Sequence, residues 1–240
     1  IYGLMSDIHS NLESLIIGLK IMHKHNVDSI LCLGDIVGYG PNPSECIDIV
    51  RRETSGAVIG NHDLAVVSQE NAYRFNKYAL LASIWTADNI SQDQLDFLAR
   101  LPYALSIGDK MMLTHGSPFQ PDQFNYIIGF ADAQYEFNQF SQHICFIGHS
   151  HKPAVFCDNG NFYIPSGGRF QLEEGQKYII NVGSVGQPRD RQPLGCVVIY
   201  DDIEDTIRFF RYTYPFTTTQ NKIKNLGLPA FLADRLSQGM

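Results

Sequence analysis

Tyr2-Gly3-Leu4-Met5-Ser6-Asp7-Ile8-His9-Ser10-Asn11-Leu12-Glu13 joins a strand, a turn and a helix start within twelve residues. Tyr2 to Ser6 has the apolar character of a short buried strand. Ser10-Asn-Leu-Glu13 has the spacing of a capping box, and Leu12, Leu15, Ile16, Leu19 and Met22 then fall on one helical face. Asp7 and His9 are left in the turn at the carboxyl end of the strand. Ligands of open α/β sheets bind beyond such ends, so this one stretch predicts both a βα unit and a polar site at its mouth.

The arrangement repeats along the chain. Ser29 to Leu33 is an apolar strand ending at Gly34-Asp35, and Asn42-Pro43 with Glu45 begins another helix with proline at its first position. Ala57 to Ile59 is a third short apolar run, ending at Gly60-Asn61-His62-Asp63, after which helical text continues to about Asn89. Ser91-Gln-Asp-Gln94 caps a further helix reaching Arg100.

From Tyr103 the pattern changes to strands: Leu105 to Ile107, then Met111 to Thr114 running into His115-Gly116, then Ile144 to Ile147 running into Gly148-His149-Ser150-His151. One helix, Ala131 to Phe140, interrupts. Asp158-Asn159-Gly160 marks a hairpin, and Tyr178 to Val182, Cys196 to Tyr200 and Ile207 to Tyr212 complete the strands, with helical text around Leu226 to Leu236. The expected fold is α/β: a four-layer α-β-β-α sandwich, two mixed β-sheets packed face to face with helices outside. It forms one domain over residues 1–240, of which 213–240 are a helical C-terminal tail.

Composition limits the partners. The 240 residues are 44% hydrophobic and 18% charged, as in a folded globular protein, and their formal charge is −7. With no basic run, binding of a nucleic-acid polymer is excluded on electrostatic grounds. A small phosphorylated ligand is not, because bound divalent ions reverse the sign of the field where they sit. The five cysteines form no Cys-x-x-Cys pair, no apolar run approaches a membrane span of roughly 20 residues, and no signal-like stretch opens the chain. The reading is a cytoplasmic protein with buried free thiols and no membrane partner.

Chemistry concentrates in the segments after the strands. Asp7-x-His9 and His115 alone are weak signals, since surface turns and hydrogen-bonded structural histidines look the same. Gly60-Asn61-His62-Asp63 is more specific, because an Asn/Asp turn needs no histidine between the two. His149-x-His151 places two imidazoles on alternate residues, which face one side if the segment is extended. Jointly they account for five of the eight histidines. His23 and His25, at the end of the first helix, and His143 read as structural or surface residues. Carboxylate, imidazole and amide donors converging from several strand ends are what a two-metal phosphoester hydrolase requires.

Through Asp7-x-His9, Gly34-Asp35, Gly60-Asn61-His62-Asp63, His115 and Gly148-His149-x-His151, the chain resembles the calcineurin-like metallophosphoesterase family, over residues 1 to about 212. The resemblance implies Asp7, His9 and His151 on one metal, Asn61, His115 and His149 on a second, and Asp35 bridging. Two metals would activate a bridging water for in-line attack on phosphorus. Mixed nitrogen and oxygen donors suit manganese, iron or zinc. The resemblance also implies that His62 protonates the leaving oxygen or stabilises its charge, and that Asp63 orients His62.

Protein Ser/Thr phosphatases of that family continue the second motif with Asp-Arg and end the third with Glu. Gly34-Asp35-Ile-Val-Gly-Tyr39-Gly40 has no arginine and the third motif ends in Asp63, so the chain looks like the small bacterial phosphodiesterase branch that includes diadenosine-tetraphosphatase-like proteins. The expected substrate is a small phosphodiester or nucleotide pyrophosphate. The alternatives are a phosphomonoesterase of the same fold and a non-catalytic scaffold, a reading that the presence of His62 disfavours. Tyr39, Phe119 and Tyr126 are loop aromatics that could stack a base. Asn181-Val-Gly-Ser-Val-Gly-Gln-Pro-Arg189 is either a glycine-rich phosphate loop with Arg189 as clamp or a plain strand-to-strand turn.

Overall fold

The computed structural model describes all 240 residues. Its first part contains β1 (Tyr2–Met5), α1 (Leu12–Lys24), β2 (Ser29–Cys32), α2 (Pro43–Glu53) and β3 (Gly56–Ala57). A helical block follows: α3 (Asn61–Val67), α4 (Gln69–Ala72), α5 (Lys77–Asp88) and α6 (Gln92–Ala99). The second half holds β4 (Ala104–Ile107), β5 (Met111–Thr114), α7 (Phe130–Glu136), β6 (Ile144–Ile147), β7 (Ala154–Cys157), β8 (Phe162–Tyr163), β9 (Gly168–Gln171), β10 (Tyr178–Asn181), β11 (Gly195–Asp201) and β12 (Thr206–Tyr212). The chain closes with α8 (Phe216–Asn225), α9 (Ala230–Asp234) and a 3-10 turn over Arg235–Gln238.

The strands form two mixed six-stranded sheets, ordered β3-β2-β1-β11-β12-β9 and β4-β5-β6-β10-β7-β8. In the first, β1 is parallel to β2 and β2 to β3; in the second, β6 is parallel to β5 and to β10. Period-two alternation sends one side chain of each pair between the sheets and the next outward. Leu4, Leu31, Val198 and Tyr200 of the first sheet meet Leu113, Phe146, Val155 and Ile180 of the second in one buried cluster. Outward, Met5, Ile30 and Cys32 pack against Leu15, Leu19 and Ile47 of α1 and α2. Cys145, Ile147 and Ile179 pack against Ala133 and Phe137 at α7. This is the expected four-layer sandwich.

Local details differ from the sequence expectation. Asn11, not Ser10, caps α1 by accepting from Ser14 N, because Ser10 lies in the left-handed region at φ 54° as part of the turn. The third strand is Gly56–Ala57 and stops before Val58, although Val58 N still donates to Cys32 O (3.0 Å). The long helical run breaks into α3, α4 and α5, with Asn76 capping α5. The helix at α7 ends at Glu136, four residues before Phe140. The hairpin marked at Asp158-Asn159-Gly160 joins β7 to β8, whereas β9 was unforeseen: it is a short, exposed edge strand, so no buried face imposes a pattern on it. The tail starts its helix at Phe216 and breaks at Gly227 (φ 71°) rather than running as one helix near Leu226 to Leu236.

All five cysteines are buried and unpaired, and no helix is long and apolar enough to cross a membrane. Phe146, fully buried at the contact of the two sheets, is a sensitive test of their packing. Phe146→Ala should destabilise the fold by about 3–5 kcal/mol in denaturant titration; a loss under about 1 kcal/mol would mean the sheets do not pack through this residue.

Candidate metal centre

The parallel strands of both sheets aim their carboxyl ends at one edge of the sandwich. Asp7 follows β1, Asp35 follows β2 and Asn61 follows β3, while His115 follows β5 and His149 and His151 follow β6. Two buried donor groups form there: Asp7, His9, Asp35 and His151, and Asp35, His115 and His149, each with ligand atoms within 4.8 Å of one another. Asp35 belongs to both.

The separations match a metal's coordination edge. Asp7 Oδ1 lies 3.1 Å from His151 Nε2, and Asp35 Oδ2 lies 3.2 Å from His115 Nε2 and 3.5 Å from His9 Nε2. Ligands about 2.1 Å from one ion are about 3.0–3.4 Å apart. Asp7 Oδ1, Asp35 Oδ2, Asn61 Oδ1 and His115 Nε2 are all buried without a hydrogen-bond partner. Such orphaned groups are costly unless a ligand satisfies them.

Tautomers make the case sharper. His9, His115 and His151 each place Nδ1 against a backbone carbonyl, of Val37 (3.1 Å), Leu33 (2.6 Å) and Gln187 (2.5 Å). The carbonyl fixes the proton on Nδ1 and leaves Nε2 a free lone pair, as in metal-binding histidines. His9 Nε2 and His151 Nε2 are then 3.1 Å apart, two acceptors facing each other. A cation between them removes that repulsion.

The backbone is strained to achieve this. Asp7, His9, Asp35, His149 and His151 all have φ between 48° and 64°, a region costly for residues with a Cβ. His149 and His151 are therefore not on an extended segment. They diverge, His151 to the Asp7 group and His149 to the His115 group. Backbone amides hold the turns: His149 N donates across the sheets to Asp7 Oδ2 (3.0 Å), and His62 N donates within the first sheet's loops to Asp35 Oδ1 (2.8 Å). Gly60 and Gly148 permit the approach, since a Cβ on either would strike Asp35 or Asp7.

Protonation follows from burial and neighbours. Burial lowers His62 to about 4, and burial with nearby His115 lowers His149 to about 3, so both are neutral near pH 7. Asp7 stays well below the ordinary carboxylate range, because His151 and His115 outweigh its burial. His115 moves the other way: Asp35 and Asp7 outweigh burial and raise it from 6.5 to about 9.

His62 and Asp63 adjoin the donors but not in the anticipated relation. The His62 ring packs against Tyr39 (4.4 Å between centroids) and Phe75 (4.5 Å), and its Nδ1 has no partner. Asp63 does not bond it: its two oxygens accept from Val37 N and Gly60 N, 3.0 Å each. The carboxylate is consumed in bracing the α3 start and the turn after β2.

The phosphate-loop reading of residues 181–189 is corrected likewise. Gly183 N donates to Asn181 Oδ1 and Gly186 N to Asp7 O, so these amides serve the fold. Tyr39 is only 7% exposed, too enclosed to offer a base a face. Phe119 packs edge-on against Tyr135 of α7. Tyr126 does reach the site, stacked 3.8 Å from His149 and 50% exposed. Arg189 lies beside Tyr39 and donates to Gln187 Oε1 (2.8 Å).

Two clefts flank the donors. One, of about 290 Å³, runs from Asn61 and His149 to Arg74, Phe75, Phe124 and Tyr126. The other, of about 280 Å³, runs from Ser150 and Arg189 to Lys152, Ile128, Phe162 and Ile164. Phe75, Phe124 and Gln187 carried no signal in the sequence, because nothing local distinguishes them from other loop residues.

A four-layer α-β-β-α sandwich with buried Asp, His and Asn donors at the strand ends defines a metallophosphoesterase. The chain belongs to the calcineurin-like phosphoesterase superfamily, whose domain matches residues 1–204. It is 37% identical over 241 residues to an uncharacterised protein of Methanocaldococcus jannaschii, covering 99% of this chain and 97% of that one. The crystal structure of a metallophosphoesterase from Sphaerobacter thermophilus superposes with TM-score 0.90 at 35% identity, covering 100% of this chain and 98% of the other. A hypothetical protein from Pyrococcus horikoshii shares the fold at TM-score 0.81 and 15% identity, covering 100% and 99%.

A metal at this site would compete with a proton for His115. Because its pKa in the folded metal-free protein is raised from 6.5 to about 9, the stability it lends that state is complete below 6.5 and lost as pH rises through about 9. Manganese uptake at pH 7.5 should therefore release about one proton per site, read as a dependence of calorimetric heat on buffer ionisation enthalpy. Affinity should climb with pH up to about 9; a heat independent of buffer would show that His115 holds no such proton.

Proposed function

We propose that the protein is a two-metal phosphodiesterase or nucleotide pyrophosphatase acting on a small substrate. The observation that carries this reading is the pair of buried donor groups sharing Asp35. Asp7, His9 and His151 would hold one ion, Asn61, His115 and His149 the other, and Asp35 both. Nitrogen and oxygen donors in this mixture favour manganese or iron, with zinc a third candidate. When bound, the ions would supply an activated water and neutralise the phosphoryl oxygens.

The chain's own residues do the rest. The strained turns hold the donors in place beforehand, so little reorganisation accompanies substrate entry. Since burial keeps the His62 ring neutral near pH 7, it acts by donating a hydrogen bond to the leaving oxygen as charge develops there. Asp63 positions His62 indirectly, by fixing Gly60 and Val37 on either side of it. Arg189 offers a guanidinium to a phosphoryl oxygen. A cleft that opens at Asn61 and His149, with a second beside Ser150 and Arg189, leaves room for two ester groups and so favours a diester over a monoester.

Manganese-loaded protein should hydrolyse bis-p-nitrophenyl phosphate or diadenosine tetraphosphate faster than p-nitrophenyl phosphate. Turnover of the monoester alone would overturn the assignment in favour of a phosphomonoesterase.

His62→Ala should reduce turnover by about 100-fold or more with metal content unchanged. Asp35→Asn should be worse, with metal lost by elemental analysis. An Asp35→Asn protein retaining two metals per chain would contradict the shared-ligand role.

A further inference from the structure

The tail after β12 lies beyond the residues 1–204 matched by the superfamily domain, yet it folds back onto the site. Thr219 Oγ1 on α8 donates to Glu13 Oε2 (2.9 Å), and Lys222 Nζ donates to Asn42 Oδ1 (3.0 Å). Ile223, Leu232 and Leu236 then pack with Tyr39. At the far end, Gly239 O accepts from Arg191 N (2.9 Å), tying the tail to the loop that carries Arg189.

This docking brings two guanidiniums to one ring. Arg235 lies 5.7 Å and Arg189 5.8 Å from the Tyr39 centroid, and Arg189 Nη2 also reaches the Tyr39 hydroxyl at 3.5 Å. No Asp or Glu side chain pairs with either. The neighbouring acids are taken, Asp190 by Arg211 (2.6 Å) and Asp234 by Lys224 (2.9 Å). Arg235 Nε also donates to Met240 O, and its guanidinium lies over the Phe231 ring.

Burial and then Arg189 lower Arg235 to about 10, the cost of gathering like charges away from water. Like charges so placed repel each other, and an anion that joins them relieves that repulsion. Tyr39 also sits against His9 (4.7 Å between centroids), so the ring that both guanidiniums touch also touches a metal donor.

We propose that Arg235 and Arg189 form an anion subsite beside Tyr39, which takes a second phosphoryl group of the substrate next to the one that reacts. It would select esters linked through a phosphoanhydride over isolated phosphodiesters. The proposal rests on the reading that the reacting phosphorus lies at the shared Asp35 centre. Phosphoanhydride esters meet both sites at once; an isolated diester meets only the first.

The test is binding, separate from turnover. Inorganic pyrophosphate and orthophosphate are each titrated calorimetrically into manganese-loaded protein, with elemental analysis afterwards to show that the metal remains. Wild type should prefer pyrophosphate, and Arg235→Gln should reduce the pyrophosphate-to-orthophosphate affinity ratio by about tenfold or more, the loss of one charge-assisted hydrogen bond. Arg235→Lys should restore part of it. An unchanged ratio, or equal weakening of both anions together with a lowered Tm, would mean that Arg235 only packs the tail. Because no hydrolysis is measured, a protein that binds pyrophosphate as stated but cleaves no diester would overturn the proposed function and leave this subsite standing.

Discussion

Bringing lone pairs together in a dry pocket is the constraint on which the rest of the structure depends. Six acid and imidazole side chains crowd their donor atoms together, with the His9 and His151 nitrogens 3.1 Å apart. Burial denies them water, and hydrogen-bonded carbonyls deny the imidazoles their alternative tautomer. Only a cation makes the arrangement favourable. The left-handed turns at Asp7, Asp35, His149 and His151, the glycines that leave room for carboxylates and the amides that donate to Asp7 and Asp35 hold that otherwise repulsive geometry.

The sandwich provides it because both sheets contain a parallel core with its carboxyl ends at the same edge. Neither sheet holds enough donors by itself. The first contributes Asp7, His9, Asp35 and Asn61, the second His115, His149 and His151. The apolar contact of Leu4, Leu31 and Phe146 between the sheets is thus also what sets the distance between Asp7 Oδ1 and His151 Nε2. Packing and coordination are one problem here.

The structure also redistributes roles among neighbours in sequence. Asp63 follows His62 directly, yet its carboxylate faces away to two backbone amides, because the α3 start has donors with no other partner. Tyr39 sits in a loop but is closed off by the tail, which uses its ring as a floor for Arg235. Polar residues near a site support it through the backbone as often as they touch the ligand.

The sequence by itself determined the βα units, the α/β sandwich and which strands end in donors, since period-two and helical patterns and strand-end motifs are local properties. It also pointed to seven candidate donors, because the residue types that bind metal are few and were concentrated after apolar runs. The family resemblance already implied a shared Asp35 and separate metals for His149 and His151; only the tertiary structure decided that Asp63 turns to two backbone amides, that the 183–187 amides serve the fold and that Arg235 and Arg189 meet at the Tyr39 ring. These outcomes depend on segments separated along the chain meeting in space, and such distances are fixed by packing rather than by spacing along the backbone.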